Sequence, residues 1–145
     1  MTEETKYGVA WNDSYKFGNE QVDMQHKRLF ELVSGLVSSC MDGTDTEKLR
    51  ETLDFLVNYT VCHFNDEEAL QIQHNYPEYA RHKQLHEDFK ATVGKLVQRF
   101  IQSASSKELS NDVNKIVVRW LVNHIQREDK KIGRHIQSVA ACEGK

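Results

Sequence analysis

The chain has 145 residues, with 19 Lys and Arg against 22 Asp and Glu and a formal charge of −3. That balance excludes a broad electrostatic grip on nucleic acid or on an anionic membrane surface. One proline and seven glycines leave few breakers, which favours long helices over a turn-rich β fold.

The length suits one domain, expected to span 1–145 with a bundle core at about 20–129. An N-terminal arm carrying Tyr7, Val9, Trp11, Tyr15 and Phe17 is aromatic enough to pack on the rest. The first amphipathic helix is expected from about Glu20 to Met41, with Val22, His26, Leu29, Phe30, Val33, Leu36, Val37 and Cys40 on one face. It stops at Asp42-Gly43. Thr44 with Glu47, or Thr46, caps a second helix whose inward face is Leu49, Leu53, Leu56, Thr60, His63, Glu67 and Leu70. That helix ends near Asn75, a residue that tolerates the left-handed conformation, just before Tyr76-Pro77.

The third helix opens after Pro77 and runs to about Ile101 on the face His82, His86, Phe89, Val93, Leu96 and Phe100. After the break Ser103–Ser106, a fourth covers roughly Lys107 to Arg127 with Val113, Val117, Trp120, Leu121 and His124 inward. Ile132, Ile136 and Val139 suggest a further short helical tail. The expectation is an all-α, up-down-up-down four-helix bundle. With no apolar stretch long enough for a membrane, no signal-like start and three cysteines (Cys40, Cys62, Cys142) at no ligand spacing, a cytoplasmic protein with reduced thiols is expected.

The informative residues are those that interrupt the apolar stripes. Five of the seven histidines, His26, His63, His82, His86 and His124, fall on inward faces of four helices, with Glu67 one turn after His63 and Asp129 five residues after His124. Singly each is weak: a chance HxxxH is common, and a lone inward histidine is more often a hydrogen-bonded core residue. Together they share one depth, because antiparallel neighbours bring His63/Glu67 level with His82/His86, and His26 and His124 fall at the same end. Inward polar groups are costly unless partnered, so seven in one layer call for a common explanation.

Imidazole and carboxylate without thiolate suit iron, zinc or copper. Five imidazoles and two carboxylates are too many for one tetrahedral zinc. They fit two metals bridged by both carboxylates, the imidazoles divided three and two. With one bridging oxygen, one metal is then filled and the other keeps a vacant position. Five residues in an ideal helix turn through about 500°, leaving Asp129 some 140° from His124. Local widening or early termination is therefore expected around Ile125–Asp129.

Asp23-Met24-Gln25-His26, His63-Phe64-Asn65-Asp66-Glu67-Glu68, His82-x-x-x-His86 and Trp120-Leu121-Val122-Asn123-His124 through Asp129 resemble the hemerythrins, in order and spacing, from Trp11 to about Asp129. The resemblance implies two iron ions with a bridging oxo or hydroxo group, binding O2 reversibly. It gives His82, His86 and His124 to the filled iron, His26 and His63 to the other, and Glu67 and Asp129 to the bridge. O2 would bind end-on at the iron held by His26 and His63 and be reduced to hydroperoxide. Leu121 and Ile125 match positions that make the family's oxygen pocket apolar. Gln71 stands where methionine is common, and is expected either to hydrogen-bond Glu67 or to turn to solvent. Asn75 replaces a common glycine. His74 and His135 have no place in the pattern and are expected at the surface, and Cys62 points away from the ligands.

The function expected is O2 storage, delivery or scavenging rather than enzymatic turnover, with O2 as the partner, no nucleic acid or membrane, and a monomer or weak homo-oligomer. The alternatives are a di-iron redox enzyme (peroxidase or nitric oxide reduction), an oxygen- or iron-sensing module acting through a separate protein, and bare zinc storage.

Overall fold

The structure is a computed structural model, and it describes residues 10–41, 46–103, 111–112 and 114–143. Three long helices, α1 (Glu20–Met41), α2 (Thr46–Gln73) and α3 (Tyr79–Ser103), are followed by a fourth rod. The rod runs through a π-helical stretch Asn114–Val118, a short α4 (Arg119–Asn123), a second π-helical stretch His124–Asp129 and α5 (Lys130–Glu143). Neighbours in the chain run antiparallel, α1 on α2 and α2 on α3, and the rod returns against α1, so the topology is the up-down-up-down bundle expected. Among the described residues there is no strand, and no helix is long and apolar enough to cross a membrane.

The stripes read from the sequence are the ones that pack. Val22, His26, Leu29, Phe30, Val33, Leu36 and Val37 of α1 are buried, as are Leu53, Leu56, Thr60, His63 and Glu67 of α2; Leu70, Val93 and Trp120 are half-buried. Each large apolar side chain removed from water contributes about 1.5–3 kcal/mol. The side chains of Cys40, Leu49, Val113 and Cys142, the Thr44–Glu47 capping pair, Tyr7, Val9 and the start of the fourth helix near Lys107 lie outside the described residues.

Local signals set the ends. Asn19 starts α1 by accepting the Val22 N–H at 3.1 Å. Asn75 takes φ 53°, and the Asn75 and Tyr76 N–H groups bond to the carbonyls of Ile72 and Gln71, which closes α2 with a Schellman turn. The tail is more than a short piece: α5 spans 14 residues, and Ile132, fully buried, joins Phe17, Val22 and Tyr76 in a second core cluster.

The aromatic arm packs as expected, with Tyr15 and Phe17 buried and Trp11 against the main core. Asp23 reaches back from α1 to accept the Phe17 N–H at 2.7 Å and the Gly18 N–H at 3.3 Å. Gly18 sits at φ 105°, a conformation open to glycine. Gly133 lets the arm backbone lie directly on α5, because a Cβ there would fall on the Phe17 carbonyl oxygen. Gly133→Ala therefore sets a helix-propensity gain of about 1 kcal/mol against an overpacking cost of about 1–3 kcal/mol. Backbone cannot move aside as a flexible side chain can, so the substitution is expected to destabilise the protein. Urea denaturation checks this, and a stabilised variant would show that the arm is not held there.

Candidate metal centre

All seven donors read from the sequence meet in one buried layer. Glu67, His82, His86, His124 and Asp129 form one group whose ligand atoms all lie within 4.8 Å of one another, and His26, His63, Glu67 and Asp129 form a second. Glu67 and Asp129 belong to both. Each divides its two oxygens between them: Glu67 Oε1 is 2.9 Å from His82 Nε2 and 3.3 Å from His86 Nε2, while its Oε2 is 3.3 Å from His63 Nε2 and 3.5 Å from His26 Nε2. Asp129 Oδ1 lies 3.0 Å from His124 Nε2 and 3.1 Å from His82 Nε2, and its Oδ2 lies 3.1 Å from His26 Nε2.

Asp129 reaches the layer because the helix is widened where the sequence demanded it. In the π-helical stretch His124–Asp129, residues five apart come nearly into line, which removes the angular mismatch of a regular helix. The other π-helical stretch, Asn114–Val118, has no such sequence signal.

Two of the imidazoles have their outer nitrogens fixed by residues that the sequence reading passed over. Gln25 donates from Nε2 to Asp66 Oδ2 at 3.0 Å, so its Oε1 accepts the His63 Nδ1–H at 2.6 Å. Glu68 Oε2 accepts the His86 Nδ1–H at 2.8 Å and Glu68 Oε1 faces Lys83 Nζ at 3.7 Å. Both relays place the proton on Nδ1 and turn the Nε2 lone pair into the layer, as metal-binding histidines require. Glu68 is buried although it stands in the acidic run Asp66-Glu67-Glu68. Ring stacking holds the planes: Phe64 on His86 at 3.8 Å and Trp120 on His124 at 4.2 Å.

The layer fits a cation better than it fits its own hydrogen bonds. His124 Nε2 is 3.1 Å from the Nε2 atoms of both His82 and His86, a meeting of three ring nitrogens that proton sharing cannot satisfy for all. Among the described residues, His26 Nε2, Glu67 Oε2 and both Asp129 oxygens are buried without a directed hydrogen bond. In the bare protein, burial would lower the pKa of His26 and His82, but Asp129 and Glu67 beside them outweigh it and raise both to about 9. Burial works against the charge of Glu67 too, yet its four histidine contacts hold its pKa well below the ordinary range, and Asp129 is likewise depressed, chiefly by His124 and His26. Two imidazolium charges thus balance two carboxylates where two metals would.

Leu121 and Ile125, flanking His124, are buried in the main core. Leu121 also lines an apolar cavity of about 30 Å³ inside the bundle. Gln71 departs from both alternatives expected for it: it is fully buried, and among the described residues no group bonds to either end of its carboxamide. Its backbone carbonyl accepts the Tyr76 N–H at 2.9 Å in the turn that closes α2. A near-isosteric apolar side chain removes the unpaired amide, so Gln71→Met is expected to stabilise the metal-free protein by about 1–3 kcal/mol in urea denaturation. Equal destabilisation would show that the amide has a partner.

His74 and His135 stand outside the layer, but they are half-buried rather than exposed. His74 Nδ1–H donates to the Leu70 carbonyl at 3.0 Å, and His135 Nε2–H donates to the His74 carbonyl at 2.8 Å, fastening α5 to the end of α2. Cys62 is exposed and, among the described residues, in no disulfide.

Known proteins show the same arrangement of chain. The family profile described as the hemerythrin HHE cation binding domain matches residues 18–136. The bacteriohemerythrin of Stenotrophomonas maltophilia is 29% identical over 130 residues, covering 90% of this chain and 82% of its own. That of Methylococcus capsulatus is 34% identical over 111 residues, covering 77% and 82%. A crystal structure of wild-type hemerythrin superposes with a TM-score of 0.76 at 27% identity, over 87% of this chain and 95% of that one. Likeness of sequence and likeness of fold thus meet over the same residues that carry the donor layer, and the chain belongs to the hemerythrin family, whose domain binds a di-iron centre.

Proposed function

We propose that this chain, as a single hemerythrin-like domain, binds O2 reversibly at two irons. His82, His86 and His124 would hold one iron, His26 and His63 the other, and Glu67 and Asp129 would each be shared between them. The observation that carries the reading is the asymmetry of the layer: one group offers three imidazoles and two carboxylates, the other only two imidazoles with the same carboxylates. Four donors against five would leave the second iron one ligand poorer than the first, and O2 would take that place. When bound, the iron pair supplies the two electrons that O2 takes up and returns.

The chain's own residues favour carriage over turnover. Leu121 and Ile125 make the wall beside His124 apolar, which excludes water and slows loss of charged oxygen species. Among the described residues the other buried acids are already engaged, Asp23 with the arm and Glu68 with His86, so no carboxyl group stands ready to protonate a ligand. The same reading makes O2 the partner and the cytoplasm the setting. The test is the visible spectrum of anaerobically reduced, iron-loaded protein before air, after air and after evacuation. A band that appears and disappears supports the carrier. Turnover of an added reductant, or two bound irons with no band, contradicts it.

A further inference from the structure

Two neighbouring carboxylates follow His124, and spacing alone favours the one that is not used. Glu128 stands four residues on, about 400° in a regular helix, which leaves it some 40° from His124, whereas Asp129 is left some 140° away. Four residues is also the spacing of His63 and Glu67, which both reach the donor layer from the regular helix α2. A regular fourth rod would thus turn Glu128 toward the layer beside His124. The π-helical stretch His124–Asp129 presents Asp129 instead, and Glu128 stays at the rim with its side chain 17% exposed.

Glu128 is held there by Arg81. From α3 the guanidinium grips both carboxylate oxygens, donating from Nη1 to Oε1 at 2.5 Å and from Nη2 to Oε2 at 3.2 Å. A two-point, charge-assisted pair of this kind is the strong form of an ion pair. Lys131 adds a second positive charge 3.8 Å from Glu128 Oε1, and Glu78 lies 3.8 Å from the Arg81 guanidinium. The pair repeats outside the layer a contact made inside it, because the next residue along each chain segment, His82 and Asp129, also meet, at 3.1 Å. A π-helical turn is rare unless something fixes it. Here the ion pair does so from the outside.

We propose that Arg81 is a positioning residue: by holding Glu128 at the rim it locks the widened register and so selects Asp129, not Glu128, as the carboxylate that faces the metals. Selection of this kind matters only if Asp129 is a shared ligand, and so it rests on the function proposed for the layer. It has a signature that a plain strut lacks. A strut fails equally when either partner is removed. Loss of Arg81 instead frees Glu128 to compete for the metals, while loss of Glu128 removes the competitor together with the pair.

The rate at which the iron-loaded full chain releases metal to a chelator tests this. Arg81→Met is expected to speed release about tenfold, the low end of what loss of an outer partner costs a metal site. Glu128→Ala is expected to stay within about twofold of the native chain, and adding it to Arg81→Met should bring release back to that range. Arg99→Met breaks an ion pair of the same kind, with Asp112 at 2.6 Å, near the other end of α3, and should leave release unchanged. Equal acceleration by Arg81→Met and Glu128→Ala with no rescue in the double variant would show a strut and overturn the selection. So would Arg99→Met acting as strongly as Arg81→Met, or iron that Asp129→Ala loosens and Arg81→Met does not. Iron held as firmly after Asp129→Ala as before would instead remove Asp129 from the centre, and the proposed function of the layer would fall together with the selection.

Discussion

Glu67→Ala is expected to cost the chain both metals at once, because Glu67 is shared by the two donor groups. Iron per chain, measured after anaerobic loading and desalting, should fall from two to near zero rather than from two to one. The loss is also a loss of stability. A ligand held at a thousand times its dissociation constant adds about 4.1 kcal/mol, which for a domain of this size is roughly 8–16 °C of melting temperature. The bare variant is further weakened, since His26 and His82 lose a carboxylate that holds their charge. Gln25→Ala provides the contrast. It frees the outer nitrogen of His63 without removing a donor, so iron should still load, about 10- to 100-fold more weakly. A Glu67→Ala protein that retains one tightly bound iron would mean that the two groups are independent sites.

The second large effect is on pH. Without metal, the folded pKa of both His26 and His82 stands at about 9, above the unfolded value near 6.5. Their contribution to stability is therefore complete below about pH 6.5 and is lost as pH rises through 9, at up to about 1.4 kcal/mol per pH unit for each. The melting temperature of metal-free protein should fall across that window. The depressed carboxylates act in the opposite sense, contributing above their unfolded pKa and failing only in acid. Iron-loaded protein has no protons to lose there and should hold its melting temperature from pH 6.5 to 9. Metal uptake must expel the two protons, so affinity should rise with pH up to about 9, and loading at neutral pH should acidify an unbuffered solution. A metal-free melting temperature that is flat or rising between pH 6.5 and 9 would contradict the assignment.

The bundle and the donor layer were legible because their signals are periodic or chemical. A histidine or glutamate on an apolar stripe stands out, and antiparallel packing fixes its depth without coordinates. Even the widened turn at His124–Asp129 follows from counting five residues against 3.6 per turn. What surrounds the layer is harder to read, because it depends on pairs far apart in the chain. Gln25 and Asp66 look like surface residues until α1 and α2 are packed, and Glu68 looks solvated until α3 brings His86 and Lys83 beside it. The half-burial of His74 and His135 goes with the docking of α5 at the end of α2, where His135 bonds the His74 carbonyl. The sequence indicated a tail there, but not its length or the surface it covers.

The central claim is that these seven side chains hold two irons, one of them short of a ligand. Anomalous diffraction at the iron edge from crystals of the loaded protein tests it most directly. Two peaks are expected within the layer, both touching Glu67 and Asp129, one bound by His82, His86 and His124 and the other by His26 and His63 alone. A single peak, or two that share no carboxylate, would contradict it.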